Sequence, residues 1–216
     1  MTTPIITLFP AFESIFADDR LRGLFYPLCR LAYQDKVLAI VSHVGIWFDD
    51  AAADDFAGSA FTRFSLQNSK YQYSGHLAGF RHADIARKIY PLLERDFVTR
   101  PWSVTQQADY LAYAQALLGE VDEAFDAGYY LSSYFHYACR RAEYQKTGTL
   151  KIFTGLDDHG AFEDIRANAG YLLPALDLNA YTLIATAAGH EFFGDGHDVS
   201  LLYQQPDEIL MVYSYS

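Results

Sequence analysis

Along the chain, stretches with helical spacing of apolar residues alternate with stretches of extended spacing, and their order predicts a mixed fold. Residues 11–34 place Leu21, Leu24, Phe25, Leu28 and Leu31 on one helical stripe, with Pro27 as a break, which predicts two short helices. The run 37–48 (VLAIVSHVGIWF) is apolar and rich in β-branched and aromatic residues. It predicts a buried strand, with a buried helix as the close alternative. Residues 51–80 hold no stable period. Helical spacing returns over 83–96 through Ile85, Ile89, Leu92 and Leu93, interrupted by Pro91.

Ser103 followed by Gln106 has the spacing of a capping box, and Val104, Ala108, Leu111, Leu118, Val121 and Phe125 predict a long helix that stops at Gly128. A second helix is predicted from Tyr129 to Lys146, ended by Gly148, so the two form a helical hairpin. Beyond it the pattern predicts strands at 149–154 and 181–185, a short helix at 162–169, and a β-hairpin of 199–203 with 209–213. The sum is an α+β fold: a single globular domain over residues 1–216, with a central helical hairpin and a small, mainly antiparallel C-terminal sheet.

Composition agrees with a folded chain. At 216 residues, 51% hydrophobic and 20% charged, it can bury one core without a linker dividing it. No apolar run reaches the roughly 18 to 20 residues of a membrane-spanning helix, and residues 1–16 lack a basic region ahead of an apolar one. These features predict a cytoplasmic protein with no membrane partner. Cys29 and Cys139 have no CxxC neighbour and read as buried thiols.

Charge changes the picture more. The net charge of −11 is uneven: residues 1–60 carry −4, 61–100 carry +4, 101–150 carry −3 and 151–216 carry −8, with no Lys or Arg after Arg166. Such a surface repels phosphate backbones, which argues against nucleic acid, and attracts basic proteins and metal cations.

The sequence holds no phosphate-cradling Gly-Lys-Ser/Thr loop, no complete GxGxxG and no GxSxG elbow. Its richest metal-capable segment is HEFFGDGHD, with His190, Glu191, Asp195, His197 and Asp198. A zinc-protease helix would need a second histidine where Gly194 stands. What remains is a glycine-bent loop that can turn His190, Asp195 and His197 toward a divalent metal, or a solvated turn entering a strand. Asp49, Asp50, Asp54 and Asp55 can hold magnesium or form an acidic turn. Asp157, Asp158 and Glu163 read as a cap and exposed helix face, and His43 as a hydrogen-bonded core histidine. His76 and His82 lie near Arg81 and Arg87, a setting for an anionic ligand.

The segment 128–137 (GYYLSSYFHY) differs from the rest. On a helix Tyr130, Tyr134 and Tyr137 share one face, and Tyr129, Ser133, His136 and Arg140 another. Tyrosine gives large contact area at low entropic cost, which suits a recognition surface. The expectation is therefore an acidic, non-enzymatic binding protein that neutralises or holds a basic protein partner, of the inhibitor or toxin-immunity kind. Its partner-binding residues are Tyr129, Tyr130, Tyr134, His136, Asp195 and Asp198. No cofactor is predicted apart from the divalent metal at His190, Asp195 and His197. The alternatives are a metal-dependent hydrolase at that loop, with Glu191 or Asp198 activating water, and a small-molecule pocket lined by Tyr130, Tyr134 and His136.

Overall fold

The computed structural model describes residues 6–100, 102–119, 125–157, 177–194 and 197–214. It is mixed helix and sheet. Strands β1 (Ile6–Leu8), β2 (Tyr26–Tyr33) and β3 (Lys36–Ser42) form an antiparallel sheet in that order. A second antiparallel sheet contains β4 (Ala57–Gly58), β5 (Phe61–Gln67), β6 (Lys70–Gln72), β7 (Thr182–Ala187), β8 (Asp198–Gln204) and β9 (Glu208–Ser214), ordered β4-β5-β9-β8-β7 with β6 on β5. β3 packs against β8 and β9, which brings the two sheets together. The helices are α1 (Phe12–Ile15), α2 (Ala83–Thr99), α3 (Gln107–Leu118), α4 (Ala127–Thr147) and α5 (His190–Phe193).

The second sheet draws on the middle of the chain as well as its end. β5 pairs with β9 in a register that sets Phe61 opposite Val212 and Phe64 opposite Ile209. The expectation of a sheet confined to the C-terminal third is corrected by that pairing. Residues 26–33 form a strand rather than a helix, because Gly23 takes a φ of +80° and both strand faces are buried as far as Cys29. An apolar run without alternation results, and it mimics helical spacing. Residues 149–154 are irregular, with Leu150 buried as their anchor. The predicted helix at 162–169, and Val121, lie outside the described residues.

The capping box at Ser103 and Gln106 is present, but α3 ends at Gly119. Gly128 sits inside α4, whose cap is Asp126: its carboxylate accepts from the Tyr129 amide at 2.9 Å. Gly148 ends α4 in the left-handed conformation.

Much of the core is aromatic. Phe16, Phe25, Phe64, Tyr71 and Phe80 pack around the joint between the sheets, with ring centroids 5.3–6.1 Å apart. The Tyr71 hydroxyl donates to the Ala39 carbonyl and accepts from the Ala39 amide, both at 2.7 Å. One side chain thereby satisfies the backbone of Ala39 on the side of β3 that faces away from β2. Cys29 and Cys139 are buried free thiols, and burial raises each to about 12. Among the described residues no helix is long and apolar enough to cross a membrane.

Candidate functional site

The chain leaves β3 at Ser42 and turns sharply. The Ile46 amide donates to the His43 carbonyl at 3.1 Å, and the His43 ring bonds the Ile46 carbonyl through Nδ1 at 3.2 Å. A carbonyl only accepts, so this contact assigns the proton to Nδ1. Gly45 takes a φ of +91°, and a Cβ there would stand 3.1 Å from the Ser133 Cβ and 3.4 Å from the Tyr130 Cα. The turn is thus pressed onto α4 where only glycine fits.

The next residues are clamped from the other side. Phe48 forms an antiparallel bridge with Phe80, flanked by two 2.8 Å bonds: the Arg81 amide to the Trp47 carbonyl and the Asp49 amide to the Gly79 carbonyl. The Phe48 ring fills the space of a side chain at Gly79, where a Cβ would overlap it. Trp47 therefore projects from a backbone fixed at both ends, and it is 50% exposed. Its ring meets that of Tyr129 on the first turn of α4, centroids 5.1 Å apart and planes 32° apart.

An acidic loop follows directly. One carboxylate oxygen of Asp49 accepts from the Ala51 amide, one of Asp50 from the Ser59 amide, and one of Asp54 from the amides of Phe56 and Ala57, at 2.7–3.1 Å. These bonds aim the carboxylates instead of leaving them to wander. Asp50 and Asp55 are exposed, as is Asp126 beside Tyr129. Arg81 reaches Asp49 at 3.7 Å with both side chains about half exposed (58% and 45%), a weak pairing. The arrangement has no paired nucleophile and base. What it offers is a half-exposed indole followed directly in the chain by a loop of oriented carboxylates.

The tyrosine segment divides in two. Tyr130 and Tyr134 are fully buried, which removes them from any partner surface or ligand pocket. Their hydroxyls donate to the Gly23 carbonyl and to Glu94, each at 2.9 Å, and Tyr137 donates to the Pro27 carbonyl. These bonds tie α4 to the first sheet and to α2. Tyr129 is part-exposed and belongs to the Trp47 surface. His136 lies against Gly194, where a Cβ would come within 2.8 Å of the imidazole.

The histidine loop is not drawn into one site among the described residues. His190 is exposed on α5, whereas His197 is buried between the sheets, its Nε2 3.5 Å from the Ser42 Oγ. Glu191 is buried and accepts from the Thr154 amide and hydroxyl, both at 2.7 Å. Asp198 accepts from the Gly189 amide at 3.0 Å, which fixes the start of α5. Asp195, shared by the metal and partner expectations, lies outside the described residues, as do Asp158 and Glu163. No group of three or more metal-capable side chains forms among the described residues.

His43 is a core residue with a particular neighbour. Its ring is 4.4 Å from that of Tyr213 and 6.0 Å from that of His197, and Phe25 and Phe80 close the other sides. Burial pulls His43 down from 6.5 to about 4 and His197 to about 3, the latter helped by the charge His43 would carry. Both imidazoles are neutral near neutral pH, and neither is open to a substrate.

Much of the C-terminal negative charge that can be placed is spoken for. Asp207 pairs with Lys36 at 2.8 Å, Glu208 with Arg63 at 3.4 Å, and Glu191 is buried. The sequence pointed to tyrosines and to residues 151–216, and it missed Trp47. The signal was present in a single large aromatic at the end of a buried strand, followed at once by DDAAADD. Comparison with protein-family models, curated proteins and solved structures finds no match.

Proposed function

We propose that this is a non-enzymatic binding protein that holds a basic protein partner, as an inhibitor or toxin-immunity protein does, through the surface of Trp47, Tyr129, Asp49, Asp50 and Asp126. The observation that carries the reading is the half-exposed Trp47, held by backbone bonds on both sides and followed by an acidic loop whose carboxylates are oriented by backbone amides. An indole in that position is costly to display for no purpose. Covering its exposed half removes on the order of 100 Å² of apolar surface, about 2.5 kcal/mol. Tryptophan and tyrosine are the residues that most often dominate such interfaces, and surrounding charge of one sign speeds encounter with a partner of the other.

Preorganisation supports the same reading, since a fixed anchor loses little conformational freedom on binding. Helices α3 and α4, taken as the central helical hairpin, would serve as the scaffold that presents Tyr129. The buried free thiols fit a reducing compartment such as the cytoplasm.

The test is capture of basic proteins from the source cells on immobilised wild-type protein and on Trp47→Ala, at low and moderate salt. The reading expects a stoichiometric basic protein retained by the wild type, weakened by salt and lost on the variant. A captured protein indifferent to Trp47→Ala, or the absence of any stoichiometric basic protein, overturns it.

A further inference from the structure

The fold repeatedly uses one device to hold a cation. The Arg22 guanidinium lies 4.4 Å above the Phe12 ring and bonds Glu13 at 2.6 Å and Asp19 at 2.9 Å. Arg141 stands 5.4 Å from the Tyr137 ring centroid and bonds Glu94 at 2.6 Å. Arg100 lies 4.5 Å above the Tyr113 ring, whose hydroxyl donates to Asp96 at 2.8 Å. For Arg22 and Arg141 an aromatic face and a carboxylate flank a planar guanidinium, and for Arg100 the carboxylate is bonded to the ring's own hydroxyl. The ring quadrupole and the carboxylate attract the same charge, and the plane can stack.

Trp47 and Asp49 flank the buried Phe48 in a bridged, extended segment, so an indole and a carboxylate project on the same side with only the weak Arg81 contact on the carboxylate. Trp47 is half exposed, Asp49 is oriented by its bond from the Ala51 amide, and Asp126 adds a further carboxylate beside Tyr129. Among the described residues no guanidinium stacks on Trp47. Arg81, whose backbone anchors Trp47, touches Asp49 only at 3.7 Å and remains 58% exposed.

We propose that an arginine side chain of the partner completes this surface, its guanidinium stacked on the exposed face of Trp47 and bonded by the carboxylate of Asp49. The inference rests on the binding function proposed above and narrows it. Arginine is favoured over lysine because a compact, strongly hydrated ammonium neither stacks nor forms the two-pronged bond. Tyr129 covers the other side of the indole and holds it still, so one guanidinium is accommodated per site.

The chain has two tryptophans, so in a Trp102→Phe background the emission comes from Trp47 alone. Trp102 packs against Tyr110 with ring centroids 5.5 Å apart, a contact that phenylalanine preserves. This protein is titrated with acetyl-Gly-Arg-Gly-amide and with the same peptide carrying lysine or citrulline. The expected result is a saturable change in Trp47 emission with the arginine peptide, at least ~5-fold tighter than with lysine and absent with citrulline. Asp49→Asn keeps the acceptor for the Ala51 amide but removes the charge, and it weakens the arginine peptide by about 5-fold.

Equal binding of lysine and arginine, binding of citrulline, or indifference to Asp49→Asn overturns the inference. So does the absence of any saturable change. In that case, if capture of a basic protein still fails on Trp47→Ala, the broader binding function stands and only the arginine anchor falls.

Discussion

Acid should loosen this protein well before its carboxylates are protonated, and the reason lies in two buried imidazoles. His43 and His197 sit between the sheets with 1% and 4% of their surface exposed, held to about 4 and about 3 where an exposed histidine has 6.5. The folded state keeps both neutral, so as pH falls below 6.5 the unfolded chain takes up protons that the folded one refuses. Stability from this source is complete above the unfolded value, declines through the window from 6.5 down to the folded values, and then levels off. Two such groups give a slope approaching 2.7 kcal/mol per pH unit, and about 5 kcal/mol in all between roughly pH 6.5 and 4.5. A loss of that size rivals the whole stability of an ordinary domain. The groups facing His43 are His197, Tyr213, Phe25, Phe80 and the Ile46 carbonyl, and none of these contacts is a carboxylate that would rescue the charge. Urea unfolding at several pH values measures the slope directly. His43→Asn keeps a donor for the Ile46 carbonyl and cannot titrate, and it should remove about one proton from the slope. Stability that changes by less than about 1 kcal/mol between roughly pH 6.5 and 5 would refute the reasoning.

Further outcomes follow from single contacts. Gly79→Ala drives a methyl into the Phe48 ring and should cost about 1–3 kcal/mol in urea unfolding while shifting the emission of Trp47 one residue away. Tyr71→Phe leaves both the amide and the carbonyl of Ala39 without their partner, an expected loss of about 2–4 kcal/mol by the same measurement. Thr154→Val removes one of the two donors to the buried Glu191 carboxylate and should cost about 1–3 kcal/mol, with thermal melting as the readout.

The sequence showed most where a local rule acts alone. The capping box at Ser103, the stop at Gly148 and the terminal hairpin of β8 and β9 each follow from residues a few positions apart. It misled where tertiary burial decides. β2 is covered on both faces over its first half, so its apolar residues do not alternate, and Leu24, Leu28 and Leu31 fall at helical spacing by coincidence. β5 was legible in retrospect, since Phe64 and Leu66 are buried while Arg63, Ser65 and Gln67 are not. That weak alternation becomes a strand only because β9, some 140 residues later, supplies its partner.

The proposed binding surface shows the same division. Helical geometry correctly separated the tyrosines into two faces, but it could not say which face the sheets would cover. Tyr130 and Tyr134 became core, and Tyr129 gained meaning from Trp47, a residue 82 positions earlier. The negative charge left exposed is not where the C-terminal excess of acids predicts it, for a related reason. Asp207 pairs with Lys36 of the other sheet and Glu208 with Arg63 on the neighbouring strand, whereas Asp50 and Asp55 remained exposed.

The proposed function depends on Trp47 as the anchor for a basic partner. Its most direct test is the affinity of the captured partner for wild-type protein and for Trp47→Ala, by calorimetry at two ionic strengths. Truncation is expected to cost at least about 2 kcal/mol, roughly 30-fold in Kd, and affinity is expected to fall as salt rises. A variant that binds within about 2-fold of the wild type, with its fold intact by circular dichroism, contradicts it.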